Sequence, residues 1–186
     1  MQPSDCPHRV KEESIAFQGF FSVKLDILES FSGEIQPYSF LKLAFDATII
    51  LPLTIEKKIV FIKEYRHPVK KWLYGLPGGC IDEGEDPIQT ARRELLEETG
   101  FSARNFVYLG SAYPYPSISN QKLHFVLAED AYKVQKTSLT PFEHIIPLEK
   151  TKEDLLEDIV SGQEMDGILF TALAFLSAHH QKQKNH

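Results

Sequence analysis

The chain has 186 residues, room for one domain or for one domain with a small appendage. Its formal net charge of −6 argues against a nucleic-acid backbone or an anionic membrane surface as partner, and leaves phosphate ligands to be reached through metal cations. Cys6 and Cys80, the two cysteines, stand in no metal-ligand spacing and offer no disulfide framework, which points to a reducing cytoplasm; no apolar run is long enough to span a bilayer.

In chain order, Met1 to Ser14 reads as a polar, loose segment without the apolar stretch of a secretory signal. Short β-rich segments follow: FFSVKLDILES, a turn at SFSGE, then YSFLKLAF, together an antiparallel meander. ATIILPLTIEKKIVFIKEYR holds two apolar runs around a polar break at Glu56 to Lys58, read as a hairpin. HPVKKWLYGLPGG is a loop or sheet edge, limited by Pro68 and Pro77. Asp86-Pro87 starts a helix, with Asp at the N-cap and Pro at the first helical position, and Gly100 stops it. FVYLGSAYP and KLHFVLAEDAYKV are strands joined by the loop YPYPSISNQ, and FEHIIPL is a further strand. Thr151 caps a helix over TKEDLLEDIV that ends near Gly162, and GILFTALAFLSAHH is a second, mostly buried helix before a loose KQKNH tail. Strands, helix, strands, helices in that order indicate an α+β fold, a mixed sheet with helices on its faces.

The helix from Pro87 to Thr99 carries an electrostatic cost. At about 100° per residue, Ile88, Ala91 and Leu95 form an apolar stripe, and Glu94, Glu97 and Glu98 share a neighbouring arc. Like charges at that spacing repel by a few tenths of a kcal/mol per pair, and the C-terminal half of a helix disfavours anions. Arg93 offsets part of this through an i, i+4 pairing with Glu97. A hard divalent cation would remove the remainder, since Mg²⁺ and Mn²⁺ take carboxylate and carbonyl oxygens. The competing reading is an ordinary solvated acidic face.

Gly79, five residues, Glu85, seven residues, Arg93-Glu94-Leu95, one residue, Glu97-Glu98, one residue, Gly100-Phe101: every fixed position of the Nudix box is matched, and the chain resembles the Nudix hydrolases. The resemblance implies cleavage of a nucleoside diphosphate linked to another moiety, on a Nudix fold in which a mixed β-sheet is sandwiched between helices. It also implies that Glu94, Glu97, Glu98 and the Gly78 carbonyl hold Mg²⁺ (Mn²⁺ as the alternative), that Arg93 orients the carboxylates, and that Glu85 supports the loop and the helix.

Beyond the box, FQGFFSVKLDILE and VFIKEYRHPVKKWLYGLPGG resemble the ADP-ribose pyrophosphatase and nucleotide-sugar group. That likeness implies an N-terminal antiparallel strand extension over residues 1–45, exchanged between the subunits of a homodimer. The hydrolase domain then spans 46–180, and 181–186 form a tail. Arg66 and Trp72 stand where the group contacts substrate, Arg66 on a phosphate or in a surface ion pair, Trp72 on a base or in packing. Pro116 stands about where a proline marks ADP-ribose hydrolases, with Tyr113 and Tyr115 on the rim.

Two departures matter. The group reads Glu-Leu-Pro-Ala-Gly before the box, and this chain has Gly75-Leu76-Pro77-Gly78-Gly79. The group often carries a catalytic-base glutamate just before the strand FEHIIPL, where this chain has Thr140, with Glu143 nearest. Glu143 is therefore one candidate base, and Glu97 or Glu98 of the box is the other. The expected reaction converts ADP-ribose or a related nucleoside diphosphate sugar to a nucleoside monophosphate plus a sugar phosphate. A nucleotide-sugar sensor without turnover and a housecleaning nucleotide pyrophosphatase are the alternatives.

Overall fold

The structure is a computed structural model that describes residues 6–184. It comprises two compact units, Met1–Phe45 with Tyr113–Lys122, and Asp46–Ala112 with Leu123–His186.

The first unit is an antiparallel sheet of β1 (His8–Gln18), β2 (Ser22–Ser30) and β3 (Ile35–Lys42), in that order. The polar segment expected to be loose is a strand from His8 onward, because it pairs with β2 along its length, His8 opposite Ser30 and Gln18 opposite Ser22. Polarity misleads there because an edge strand with exposed faces needs no apolar alternation. The Met1–Asp5 part of that expectation lies outside the described residues. Residues 113–122 lie along β3: the Leu41 N–H donates to the Ile118 carbonyl (2.8 Å), and the Tyr38 hydroxyl to the Ser117 carbonyl (2.6 Å).

The second unit is built on a mixed sheet of β4 (Ala47–Thr54), β5 (Ile59–Arg66), β6 (Lys71–Gly75), β7 (Gly78–Cys80), β8 (Phe101–Ser102), β9 (Asn105–Ala112), β10 (Leu123–Lys133) and β11 (Ile145–Lys150). The central order is β11-β5-β4-β10-β8, with β6 on β5, β7 on β4 and β9 on β10. Among the described strands the β4–β10 pair alone is parallel, which requires a long crossover, and α1 (Pro87–Glu94) lies within it. KWLYG, within the segment read as loop or edge, is a strand on β5, Trp72 opposite Tyr65.

Side-chain alternation sorts the core into two layers. Leu51, Phe61, Phe125 and Leu127 pack with Leu155 of α2 (Lys152–Val160) and with Leu169 and Ala172 of α3 (Ile168–Lys184). Their neighbours Ile50, Val60, Val126 and Ala128 face the other way, onto Ala91 and Leu95. The sheet is thus sandwiched between helices. Helix α3 is less buried than its apolar sequence suggests, with only Leu169 and Ala172 fully enclosed, and it runs on through Lys184.

One element departs from the expected single helix. Asp86 caps it as read, its carboxylate accepting from the Ile88 and Gln89 N–H groups, and Gly100 ends it at φ 68°. Between them the α-helix stops at Glu94, and Leu95–Thr99 form a π-helical turn. Wider turns of this kind are rare and occur mostly at functional sites.

Candidate active site

The site is assembled where β7 meets the α1–π junction. Arg93 is its hub. Its Nε and Nη2 donate to both carboxylate oxygens of Glu85 (3.0 and 2.9 Å), its Nη1 to Glu94 Oε1 (2.6 Å), and its Nη2 also to the Cys80 carbonyl (3.1 Å). The expected Glu97 pairing is present but longer, at 3.6 Å. Glu85 additionally accepts from the buried Thr90 hydroxyl at 2.8 Å. Held by the Arg93 and Thr90 hydrogen bonds, the Glu85 carboxyl is pulled down to about 2.

The three glutamates do not share one environment. The Glu94 side chain is mostly covered, Glu97 is 46% exposed, and Glu98 is 8% exposed with Oε2 accepting from the Gly78 N–H at 2.8 Å. Glu97 and Glu98, successive residues, leave the turn in different directions, so that Glu98 meets the Gly78 N–H of β7 while Glu97 stays half in solvent. Burial, reinforced by the charges of Glu94, Glu64 and Glu143 and opposed by the Gly78 N–H, pushes the Glu98 carboxyl up to about 8. Burial likewise raises Glu94, against the pull of Arg93.

The two glycines have separate steric reasons. A Cβ on Gly78 would run into the backbone carbonyl of Thr48 on β4, whereas one on Gly79 would run into the Glu94 carboxylate. Gly78→Ala should therefore cost stability, since a paired strand cannot retreat. Gly79→Ala should keep most of the melting temperature and lose activity, because the flexible Glu94 side chain can swing away from its position. Thermal melts and initial rates on the two variants check this contrast, and equal effects on both readouts would refute it.

Glu64, Glu143 and Asp166 complete the charge set. Glu64 lies on β5 two residues from Arg66, on the face that continues from Val60 and Ile62. Its carboxyl is raised by burial, opposed by Arg66 and reinforced by Asp166 and Glu143. Arg66 Nη1 reaches Glu64 Oε1 at 2.7 Å and its Nη2 reaches Asp166 Oδ2 at 3.5 Å. The loop bearing Glu143 is tied to the π-turn, Ser138 N–H donating to the Glu97 carbonyl at 2.8 Å, and the Glu143 carboxylate accepts from the Thr140 N–H at 2.7 Å. Trp72 packs edge-on against Tyr65 at 5.9 Å and is 41% exposed.

The second unit therefore gathers Gly78, Arg93, Glu94, Glu97 and Glu98, with Glu143 close enough to be felt by Glu94 and Glu98, and carries Arg66 and Trp72 on β5 and β6. Tyr113 and Pro116 belong to the first unit. There Pro116 lines a cavity of about 400 Å³ with Asp26, Tyr38 and Asn120, and the exposed Tyr113 ring has Lys122 Nζ 5.4 Å from its centre. Sequence reading missed Glu64 and Asp166. An acid two residues from Arg66 on one strand was a usable signal for the first; Asp166 was legible only as a helix cap.

Among the described residues no three His, Cys, Asp or Glu side chains converge as they stand on one metal-sized position. Glu94 is turned to Arg93 and Glu98 to the Gly78 N–H. The donor chemistry nevertheless fits a hard divalent cation: carboxylate oxygens whose proton affinity is raised by burial and then by neighbouring acids, beside Gly79, whose missing Cβ leaves the space that Glu94 occupies.

A family model for the NUDIX domain matches residues 44–159. The chain is 32% identical over 131 residues to the ADP-ribose pyrophosphatase of Bacillus subtilis (strain 168), covering 70% of this chain and 71% of that one. It is 30% identical over 131 residues to the methanol dehydrogenase activator of Bacillus methanolicus, covering 70% and 71%. The crystal structure of an ADP compounds hydrolase shares its fold, with a TM-score of 0.83 at 24% identity over 98% of both chains.

Proposed function

The chain belongs to the NUDIX domain family, and from that premise we propose that it hydrolyses the pyrophosphate of ADP-ribose or a related nucleoside diphosphate sugar to a nucleoside monophosphate and a sugar phosphate. The observation that carries the proposal is the packing of Glu98 on the Gly78 N–H and of Glu94 against Gly79, with Glu94 held by the Arg93 guanidinium and with Glu64 and Arg66 on β5.

The Gly78 carbonyl with Glu94, Glu97 and Glu98 would hold the divalent cation, for which Mg²⁺ or Mn²⁺ is the proposed identity. When bound it supplies charge neutralisation for the pyrophosphate oxygens, whose negative charge otherwise repels an attacking water. The rest is done by the chain. Arg93 fixes the loop, through Glu85 and the Cys80 carbonyl, to the helix that carries the acids. Arg66 pairs with a phosphate, and Trp72, half-exposed on an edge strand, stacks on the base. Glu143 takes the proton of the attacking water, once its carboxylate leaves the Thr140 N–H, and a box glutamate is the alternative acceptor.

The purified protein with Mg²⁺ should convert ADP-ribose to AMP and ribose 5-phosphate, read by chromatography alongside other nucleotide sugars and nucleoside triphosphates. Binding without product, or products from triphosphates alone, would overturn the proposal.

We further propose a homodimer joined through the N-terminal sheet, in which Phe17, Phe20, Phe31 and Ile35 are exposed, an apolar surface that a second copy would cover. A monomeric mass in light scattering at micromolar concentration would exclude it. No described helix is long and apolar enough to cross a membrane, and a cytoplasmic location is part of the proposal.

A further inference from the structure

We infer that Asp166, at the N-terminus of α3, is a positioning residue that holds Arg66 for the substrate phosphate; the inference rests on the phosphate role proposed for Arg66. The two oxygens of this carboxylate have divided tasks. Oδ1 accepts from the Ile168 N–H at 2.9 Å and so caps α3, while Oδ2 faces Arg66 Nη2 at 3.5 Å. The residue is itself fixed, because its N–H donates to the Tyr74 carbonyl at 2.8 Å and the Tyr74 N–H donates to the Glu164 carbonyl at 3.3 Å. Residues 164–166 thus run as a short extension along β6, with Met165 bridged to Tyr74.

Arg66 consequently stands between two acids, each facing its own terminal nitrogen, Glu64 at Nη1 and Asp166 at Nη2. A planar guanidinium gripped at both ends loses little further freedom when it meets a phosphate. The contact with β6 continues at Gly75, where a Cβ built on the glycine would lie 3.5 Å from the Cβ of Asp166. The side chain of Asp166 occupies the space beside Gly75, so a carboxylate reaches this place from α3 and joins that helix to the site.

Asp166→Asn separates the two tasks, since asparagine caps a helix as well as aspartate does but carries no charge. The expected result is an unchanged melting temperature, a KM for ADP-ribose raised about tenfold and a kcat within about twofold of wild type, the pattern of lost uniform binding. In an Arg66→Ala background the same substitution should change KM no further, because Asp166 acts only through Arg66. An unchanged or lowered KM, or effects that multiply in the double variant, would overturn the inference. A readout without turnover is the Arg66 Nε–Hε NMR signal, expected to be sharp in the wild type and broadened by exchange in Asp166→Asn. If the wild type hydrolyses no nucleotide sugar, the functional reading fails, while the same Arg66 signal in both proteins would sink the positioning role on its own.

Discussion

Glu98→Gln, stripped of divalent ions, is expected to melt at the same temperature as the wild type near pH 4.5 and well above it at pH 8 or higher. The carboxyl titrates near 4.5 when unfolded and near 8 in the fold, so between those values the native state binds the extra proton. Wild-type stability therefore falls as the pH rises through that window, and above it the full penalty persists. A shift of this size corresponds to roughly 3–5 kcal/mol. Glutamine has no proton to lose and can still accept the Gly78 N–H, so the variant escapes the penalty. Glu94 titrates in both proteins and largely cancels from the difference. Turnover should fall by roughly 10²-fold or more, because the variant lacks a charge that the proposed chemistry uses. Saturating Mg²⁺ should narrow the gap by stabilising the wild type preferentially. Melting curves from pH 4.5 to 8.5 in chelator, then with Mg²⁺, provide the check. A constant difference across pH would show that Glu98 does not ionise at the cost argued here.

Arg93→Lys should be nearly as damaging as Arg93→Ala, despite keeping the charge. The guanidinium serves four acceptors at once: both Glu85 oxygens, Glu94 and the Cys80 carbonyl. An ammonium is a point donor and cannot span them. The lost bonds leave partly buried carboxylates unpaired, a cost of about 1–3 kcal/mol, and activity should fall roughly 10- to 100-fold as Glu94 loses its orientation. The stability gap has a pH signature opposite to that of Glu98. Arg93 lowers Glu85 to about 2, so its contribution is present above the unfolded value of 4.5 and is lost as the pH falls towards 2. The wild-type advantage should shrink on acidification. A lysine variant with wild-type rates would show that charge alone, not the fork of donors, is what the site requires.

The local rules of the chain were legible without coordinates. Asp86-Pro87 and Gly100 bracket the box helix because caps act within a turn of their own position. The apolar runs of β4, β5 and β10 read as strands because short apolar runs bounded by turn residues mark buried strands, and the box spacing named the candidate acids and their arginine. Other features required distance. The β4–β10 pairing is parallel and joins segments far apart in sequence, and it places Gly78, on β7 beside β4, against the helix. That placement buries Glu98 against the Gly78 N–H while Glu97, its neighbour, stays half in solvent. The π-turn is likewise invisible to a fixed 100° arc, since nothing local distinguishes Leu95–Thr99 from ordinary helix.

Composition, caps and spacing thus determined the box helix, the central strands, the candidate acids and their arginine, because those signals are written within a few residues of one another. The fold decided how unequal the acids are, and that Arg66 is shared by Glu64 beside it and Asp166 from the start of α3. Burial and ion pairing depend on what the sheet order brings opposite each side chain, and that is a property of the packed chain as a whole.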